Sequence, residues 1–168
     1  DCKNIVALDI GCSTGGFTDV LLKNGAKKIY SVDVGYGQLD WKIRNNDKVV
    51  VHEKTNARYL DNTIIKDKLD AIVCDVSFIS LKKALPASLF FLKKSGWLIG
   101  LIKPQFEIGK SLLGKGGVVR NQSHHQMVVR DIKDWLNKEK KLIVEGVVES
   151  PVLGPKGNKE FLILAFNS

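Results

Sequence analysis

A doubly wound α/β fold is predicted: a mostly parallel seven-stranded sheet with a carboxyl-terminal antiparallel hairpin and helices on both faces. Three observations predict it. Short apolar runs rich in Val and Ile, at residues 5–8, 29–34, 49–52, 69–74 and 97–102, alternate with helix-like segments, the pattern of buried parallel strands joined by crossover helices. The first run ends at Asp9 in a glycine-rich turn that opens directly into an amphipathic stretch. Near the other end, residues 142–149 and 161–166 are strand-like and joined by SPVLGPKGNK, too short a link for a crossover helix, so they pair antiparallel.

The helices follow in order. Residues 17–24 form the first, stopped by Gly25; residues 38–45, a short stretch at 61–67, and residues 80–94 form the next three. Residues 123–140 form the last. Ser123 is its expected cap, and Val128, Ile132, Trp135 and Leu136 fall on one face.

With 168 residues and 44% hydrophobic content, the chain buries one sizeable core, and nothing in its composition divides it, so residues 1–168 read as one domain. It opens at Asp1 and enters the first strand almost at once, as an excised domain would. The 26 basic residues against 18 acidic ones leave a net charge of +8, which favours a polyanionic partner. Cys2, Cys12 and Cys74 are widely spaced, so neither a disulfide framework nor a metal site is expected, and a reducing, cytoplasmic setting is. His52, His124 and His125 lack ligand spacing and read as surface or helix-start residues. The longest apolar region, residues 84–102, is interrupted by Lys93, Lys94 and Gly96, so no membrane partner is expected.

The glycine turn separates two cofactor classes. A dinucleotide loop has G-x-G-x-x-G, which lets backbone approach a pyrophosphate; here the order is D-x-G-x-x-x-G-G, without the second glycine. S-adenosylmethionine carries no phosphate, and this wider turn resembles the first motif of class I methyltransferases. The candidate cofactor residues are Asp9, Gly11, Ser13, Gly15, Gly16 and Phe17 in and around the turn, then Asp33 and Val34, Asn56, and Asp75 at three later strand ends. Asp33 accepts from ribose hydroxyls or caps its own turn at Gly35; Asn56 pairs with an adenine edge; Asp9 orients the turn.

Asp75 ends the fourth strand, Lys103 ends the fifth and Glu160 begins the last, so all three approach the crevice side of the sheet. They are the candidate catalytic residues, against the plainer alternative that Lys103 and one acid form an ordinary ion pair. Beyond Lys103, residues 105–120 are basic and glycine-rich, and Lys110, Lys115 and Arg120 are the candidate RNA contacts. Tyr36 and Phe78 are candidates for stacking on a base, with burial the alternative for Phe78.

The motifs DIGCSTGGFTDVLL, SVDVGYGQLDW, DVSFISL, IKPQFEIG, GKGGVVR and GPKGNKEF, in this order, resemble the hemolysin A-like (TlyA) family of ribosomal RNA 2'-O-methyltransferases, related to the FtsJ methyltransferases. The resemblance implies S-adenosylmethionine as cofactor, a cytidine ribose in ribosomal RNA as substrate, and a Lys-Asp-Lys-Glu catalytic set. Asp75, Lys103 and Glu160 match its last three members. The family's first lysine lies upstream of the glycine turn and has no counterpart here, and the resemblance also implies an amino-terminal RNA-binding domain absent from residues 1–168. The segment alone is therefore expected to methylate poorly. A lysine serves as base for a ribose hydroxyl only where desolvation or nearby positive charge favours its neutral form, help worth roughly 100- to 10,000-fold.

Rival readings are an amino methyltransferase, a membrane-lytic protein, as the family's historical name suggests, and a non-catalytic RNA-binding module. DVSF distantly resembles the D-P-P-Y type of amino-methyltransferase motif, but Val76 and Ser77 replace both prolines and that chemistry leaves Lys103 and Glu160 unused. The sequence does not set the oligomeric state.

Overall fold

The computed structural model describes residues 1–168. Its seven strands are β1 (Val6–Ile10), β2 (Lys28–Val32), β3 (Val49–His52), β4 (Leu69–Cys74), β5 (Leu92–Ile102), β6 (Leu142–Glu149) and β7 (Phe161–Asn167), in the order β3-β2-β1-β4-β5-β7-β6. The first five run parallel, and β7 is antiparallel to both neighbours, β5 and β6.

This topology builds the site. The parallel strands end at Ile10, Val32, Cys74 and Ile102 on one edge of the sheet, and because β7 runs the other way its first residue, Phe161, pairs with Ile102. Glu160 is thereby delivered beside Lys103 from a strand of opposite direction.

Helices pack on both faces. On one, Leu81, Leu85, Val128, Ile132 and Leu136 join a 24-residue buried cluster with Leu8, Ile72, Leu98 and Ile163. On the other, Leu21 of α1 (Gly16–Lys23) closes a smaller cluster with Ala7, Ile29, Ala71 and Val73. Toward the β6 edge that second face continues as Ile99, Leu101, Leu162, Leu164 and Phe166, none fully buried, with Ile143 and Val148 exposed.

Several elements differ from expectation. The predicted helix over residues 80–94 breaks into α3 (Leu81–Ala84) and α4 (Pro86–Leu89), because Pro86 has no N–H to continue the first helix and starts the second. Strand β5 begins at Leu92, not residue 97: Lys93 pairs across the sheet with Asp70 at 2.7 Å, and the pairing register shifts before Trp97, where Ser95 is left-handed at φ 61°. Residues 61–67 make an Asp61-capped turn, not a helix, and the second predicted helix contracts to α2 (Trp41–Arg44), capped by Asp40. A further short helix, α5 (Pro104–Glu107), follows β5. The last helix, α6 (Gln122–Asp134), is capped by Asn121, whose Oδ1 accepts from the Ser123 N–H at 2.9 Å, so Ser123 lies inside the first turn. His125 is buried there, not on the surface, with Nε2 at 2.8 Å from the Val119 carbonyl. No helix is long and apolar enough to cross a membrane.

Candidate active site

The glycine turn is held by contacts from three strand ends. Gly11 is left-handed at φ 76°, and a Cβ there would stand 2.1 Å from the Asp75 carbonyl oxygen, so only glycine lets the turn cross the end of β4. Gly15, at φ 105°, would place a Cβ 2.6 Å from Ile43. Gly16 is different: nothing lies within 4 Å of where its Cβ would be.

Asp33 caps its own turn at Gly35, the structural alternative foreseen for it, also holds the glycine turn, and remains on the crevice. Its Oδ2 accepts from the Ser13 N–H and its Oδ1 from the Gly35 N–H, each at 2.8 Å, tying the glycine turn to the end of β2. Asp9 lies beneath the turn, fully buried, with Oδ2 accepting from the Thr18 hydroxyl at 2.7 Å and Oδ1 without a partner. Burial pushes its carboxyl up to about 7, against the partial relief that Thr18 provides.

Above this floor lies a cavity of about 530 Å³, within the range of small-molecule sites. Gly11, Ser13, Asp33, Val34, Asn56 and Asp75 line it, whereas Asp9, Gly15, Gly16 and Phe17 do not. Sequence reasoning missed Gln38, Thr55, Arg58, Val76, Ser77 and Ile79 on its lining, while Phe78, foreseen as a stacking residue, also lies there. Asn56 spends its Oδ1 on the Arg58 N–H at 3.0 Å, leaving its amide NH2 for a ligand. The cavity combines apolar walls with two carboxylates, Asp33 and Asp75.

At the far lip the candidate catalytic groups are held in two pairs. The Lys103 ammonium, nearly buried, stands 2.6 Å from Asp75 Oδ1 and donates to Ser77 Oγ at 3.1 Å. The Asp75 contact is an ion pair outside aligned hydrogen-bond geometry. Glu160, also buried, accepts from Gln105 Nε2 at 3.0 Å, and the opposite Gln105 oxygen has no partner. Gln105 is thus a site residue without a sequence signal of its own, placed by the turn of α5 immediately after Lys103. Glu107, at the end of the same helix, accepts from Ser80 Oγ at 2.5 Å and the Leu81 N–H at 2.8 Å, locking α5 to the start of α3. Burial raises its carboxyl pKa.

Phe78 resolves in favour of exposure: 89% accessible, in a left-handed conformation at φ 65°, its ring 5.0 Å from that of Phe106. Tyr36 is also exposed, with Lys54 over its ring at 4.7 Å. Lys110, Lys115 and Arg120 are all exposed on the connection between α5 and α6, close in sequence to Lys103.

A cavity at the carboxyl edge of a parallel sheet, with an antiparallel last strand that carries Glu160 to the same edge as buried Lys103, is the layout of methyltransferases of the mixed seven-stranded class. The chain belongs to the FtsJ-like methyltransferase family, whose model matches residues 1–166. It is 44% identical over 158 residues to the 16S/23S rRNA (cytidine-2'-O)-methyltransferase TlyA of Mycobacterium tuberculosis, covering 93% of this chain and 58% of that protein. To Hemolysin A of Brachyspira hyodysenteriae it is 42% identical over 166 residues, covering 95% of this chain and 67% of that one. A solved structure of a candidate hemolysin from Streptococcus thermophilus superposes with a TM-score of 0.95 at 40% identity, over 100% of this chain and 61% of the other. The chain thus spans about three fifths of the tuberculosis relative's length. Family membership brings S-adenosylmethionine as the cofactor.

Proposed function

We propose that this chain is the catalytic portion of a methyltransferase that modifies a ribose 2'-hydroxyl of ribosomal RNA, a cytidine as in the tuberculosis relative, on ribosomal subunits in the cytoplasm. The observation that carries the reading is the Lys103–Asp75 pair, 2.6 Å apart at the lip of a cavity that Asp75 itself lines. Asp33 would hold the cofactor's ribose, Asn56 its base, and the Gly11–Ser13 backbone its middle. Bound there, S-adenosylmethionine supplies an electrophilic methyl group.

The remaining chemistry belongs to the chain. Asp75 and Ser77 fix the lysine nitrogen from two sides, so a hydroxyl entering over the lip meets a nitrogen of set position, and Lys103 in its amine form takes the hydroxyl proton. Glu160, held by Gln105, orients the ribose from the β7 side. Lys110, Lys115 and Arg120 would take phosphates flanking the target, and exposed Phe78 offers a ring to its base. An amino acceptor is disfavoured, because Asp75 would have to receive its N–H while already engaged by Lys103.

Calorimetry with S-adenosylmethionine, then tritium transfer to ribosomal subunits and mass mapping of the product, tests this. We expect cofactor heat and transfer to a ribose oxygen. Absence of cofactor heat, or a methyl group mapped to a base, overturns it.

A further inference from the structure

Two loops that are distant in sequence meet beside Glu160, and one side chain joins them. Asn158 is 3% exposed, yet every polar group it owns is used. Its Oδ1 accepts from the Val119 N–H at 3.0 Å, and its Nδ2 donates to the carbonyls of Gly117 and Pro155, both at 3.1 Å. Its own carbonyl accepts from the Gly154 N–H at 2.7 Å. Lys156 adds a parallel tie, donating to the Gly116 carbonyl at 2.9 Å.

Each end of this clamp leads to a functional element. On one side, Gly116 and Gly117 are both left-handed and sit between Lys115 and Arg120, while the Val119 carbonyl is fixed by His125. The Arg120 guanidinium reaches back to the Lys115 carbonyl at 3.5 Å, and the backbone between those two residues is held from outside the segment by Asn158. On the other side, Gly154 lies against the catalytic acid so closely that a Cβ would stand 2.1 Å from Glu160 Oε1. The Ser150 N–H donates to the Glu160 carbonyl at 2.8 Å, closing the same loop around that residue.

We propose that Asn158 is a positioning residue that sets the basic segment around Lys115 and Arg120 in register with Glu160, so that seating RNA phosphates and placing the acid are one event. This rests on the RNA-methylating reading above and adds a residue to it. An asparagine suits the task. Aspartate would keep the acceptor for Val119 but lose both donors, and alanine would orphan a buried N–H.

The test uses the chain as it is, with a labelled ribosomal RNA fragment as probe. Asn158→Ala should weaken RNA binding about fivefold or more and leave the S-adenosylmethionine affinity unchanged, since none of the clamp's residues lines the cavity. In that background Lys115→Ala should cost much less than it does in the parent, because the cycle measures coupling and not bulk damage. Hydrogen exchange should quicken at Val119 and at Ser150 together, and Asn158→Asp should restore protection at Val119 only. Full additivity of the two substitutions, or exchange that quickens at Val119 while Ser150 stays protected, overturns the proposal. Failure of the parent chain to bind cofactor and RNA would instead strike the functional reading on which it rests.

Discussion

The two halves of the site are built by different means. The half over β1, β2 and β4 is a floor of backbone: a glycine turn, one stapling carboxylate and a buried acid, all within a continuous run from Asp9 to Gly35. The half over β5 and β7 is an assembly of side chains from distant segments, with Lys103 meeting Asp75 and Ser77, and Gln105 meeting Glu160 across 55 positions. A cofactor of fixed shape suits a floor that is preformed. A polymeric substrate needs groups that converge once it is seated, and here the tie between loops is Asn158.

The largest expected effect separates the halves outright. Lys103→Ala should lower tritium transfer by about 100-fold or more while cofactor heat stays at the parent value. Equal losses in both measurements would mean that the halves are not separable.

Asp9 gives the cofactor half its own pH signature. Its folded pKa, about 7, exceeds the ordinary 3.8, so the native state keeps a proton that the unfolded chain has shed between those values. Stability should therefore fall as pH rises through that window and level off above it, by up to about 4 kcal/mol. Denaturant titrations at pH 4.5 and 7.5 should show Asp9→Asn flattening this difference, since an asparagine oxygen still accepts from Thr18. An unchanged slope in the variant would place the burden on another group.

Two glycines five positions apart should answer oppositely. Gly11→Ala forces a Cβ against the Asp75 carbonyl from a left-handed backbone, and should cost about 2 kcal/mol or more, a fall in Tm of roughly 5 °C. Gly16→Ala meets open space at the first position of α1, so thermal stability should hold or rise slightly. If the cofactor passes there, its affinity should still drop by about tenfold. A Gly16→Ala chain with unaltered cofactor affinity would remove Gly16 from the binding floor.

The same contrast explains what the sequence disclosed. The floor was legible because each of its parts is local: a strand end, a glycine spacing, an acid at the next strand end. Lys103, Asp75 and Glu160 were legible as strand-end residues, and the antiparallel turn of β7 brings them to one edge. Gln105 and Asn158 were not, because an amide in a short helix or a loop carries no signal until its distant partners are known. The early start of β5 was hidden for the same reason: Lys93 reads as helix surface until Asp70 appears beside it. Phe78 stood undecided because its exposure follows from a left-handed backbone that its residue type does not announce.

The smallest expected effects lie within the basic segment, and they sharpen the comparison most finely. Lys110 lies at the α5 end, in a short turn without a hydrogen bond to the β6–β7 hairpin loop, whereas Lys115 and Arg120 flank the stretch that Asn158 clamps. Each phosphate contact contributes about 0.9 to the slope of log affinity against log salt on duplex and about 0.7 on single strands. Lys110→Ala, Lys115→Ala and Arg120→Ala should each reduce that slope by roughly one contact, while the salt dependence of cofactor binding stays near zero for all three. The loss in RNA affinity should be larger for the two clamped positions, because a pre-shaped backbone spends less ordering entropy when the phosphate arrives. Filter binding across a salt series reads both quantities. If Lys110→Ala cost as much as Arg120→Ala, the pre-shaping of the clamped end would carry no advantage, and the substrate half would act as a general basic surface instead of a registered one.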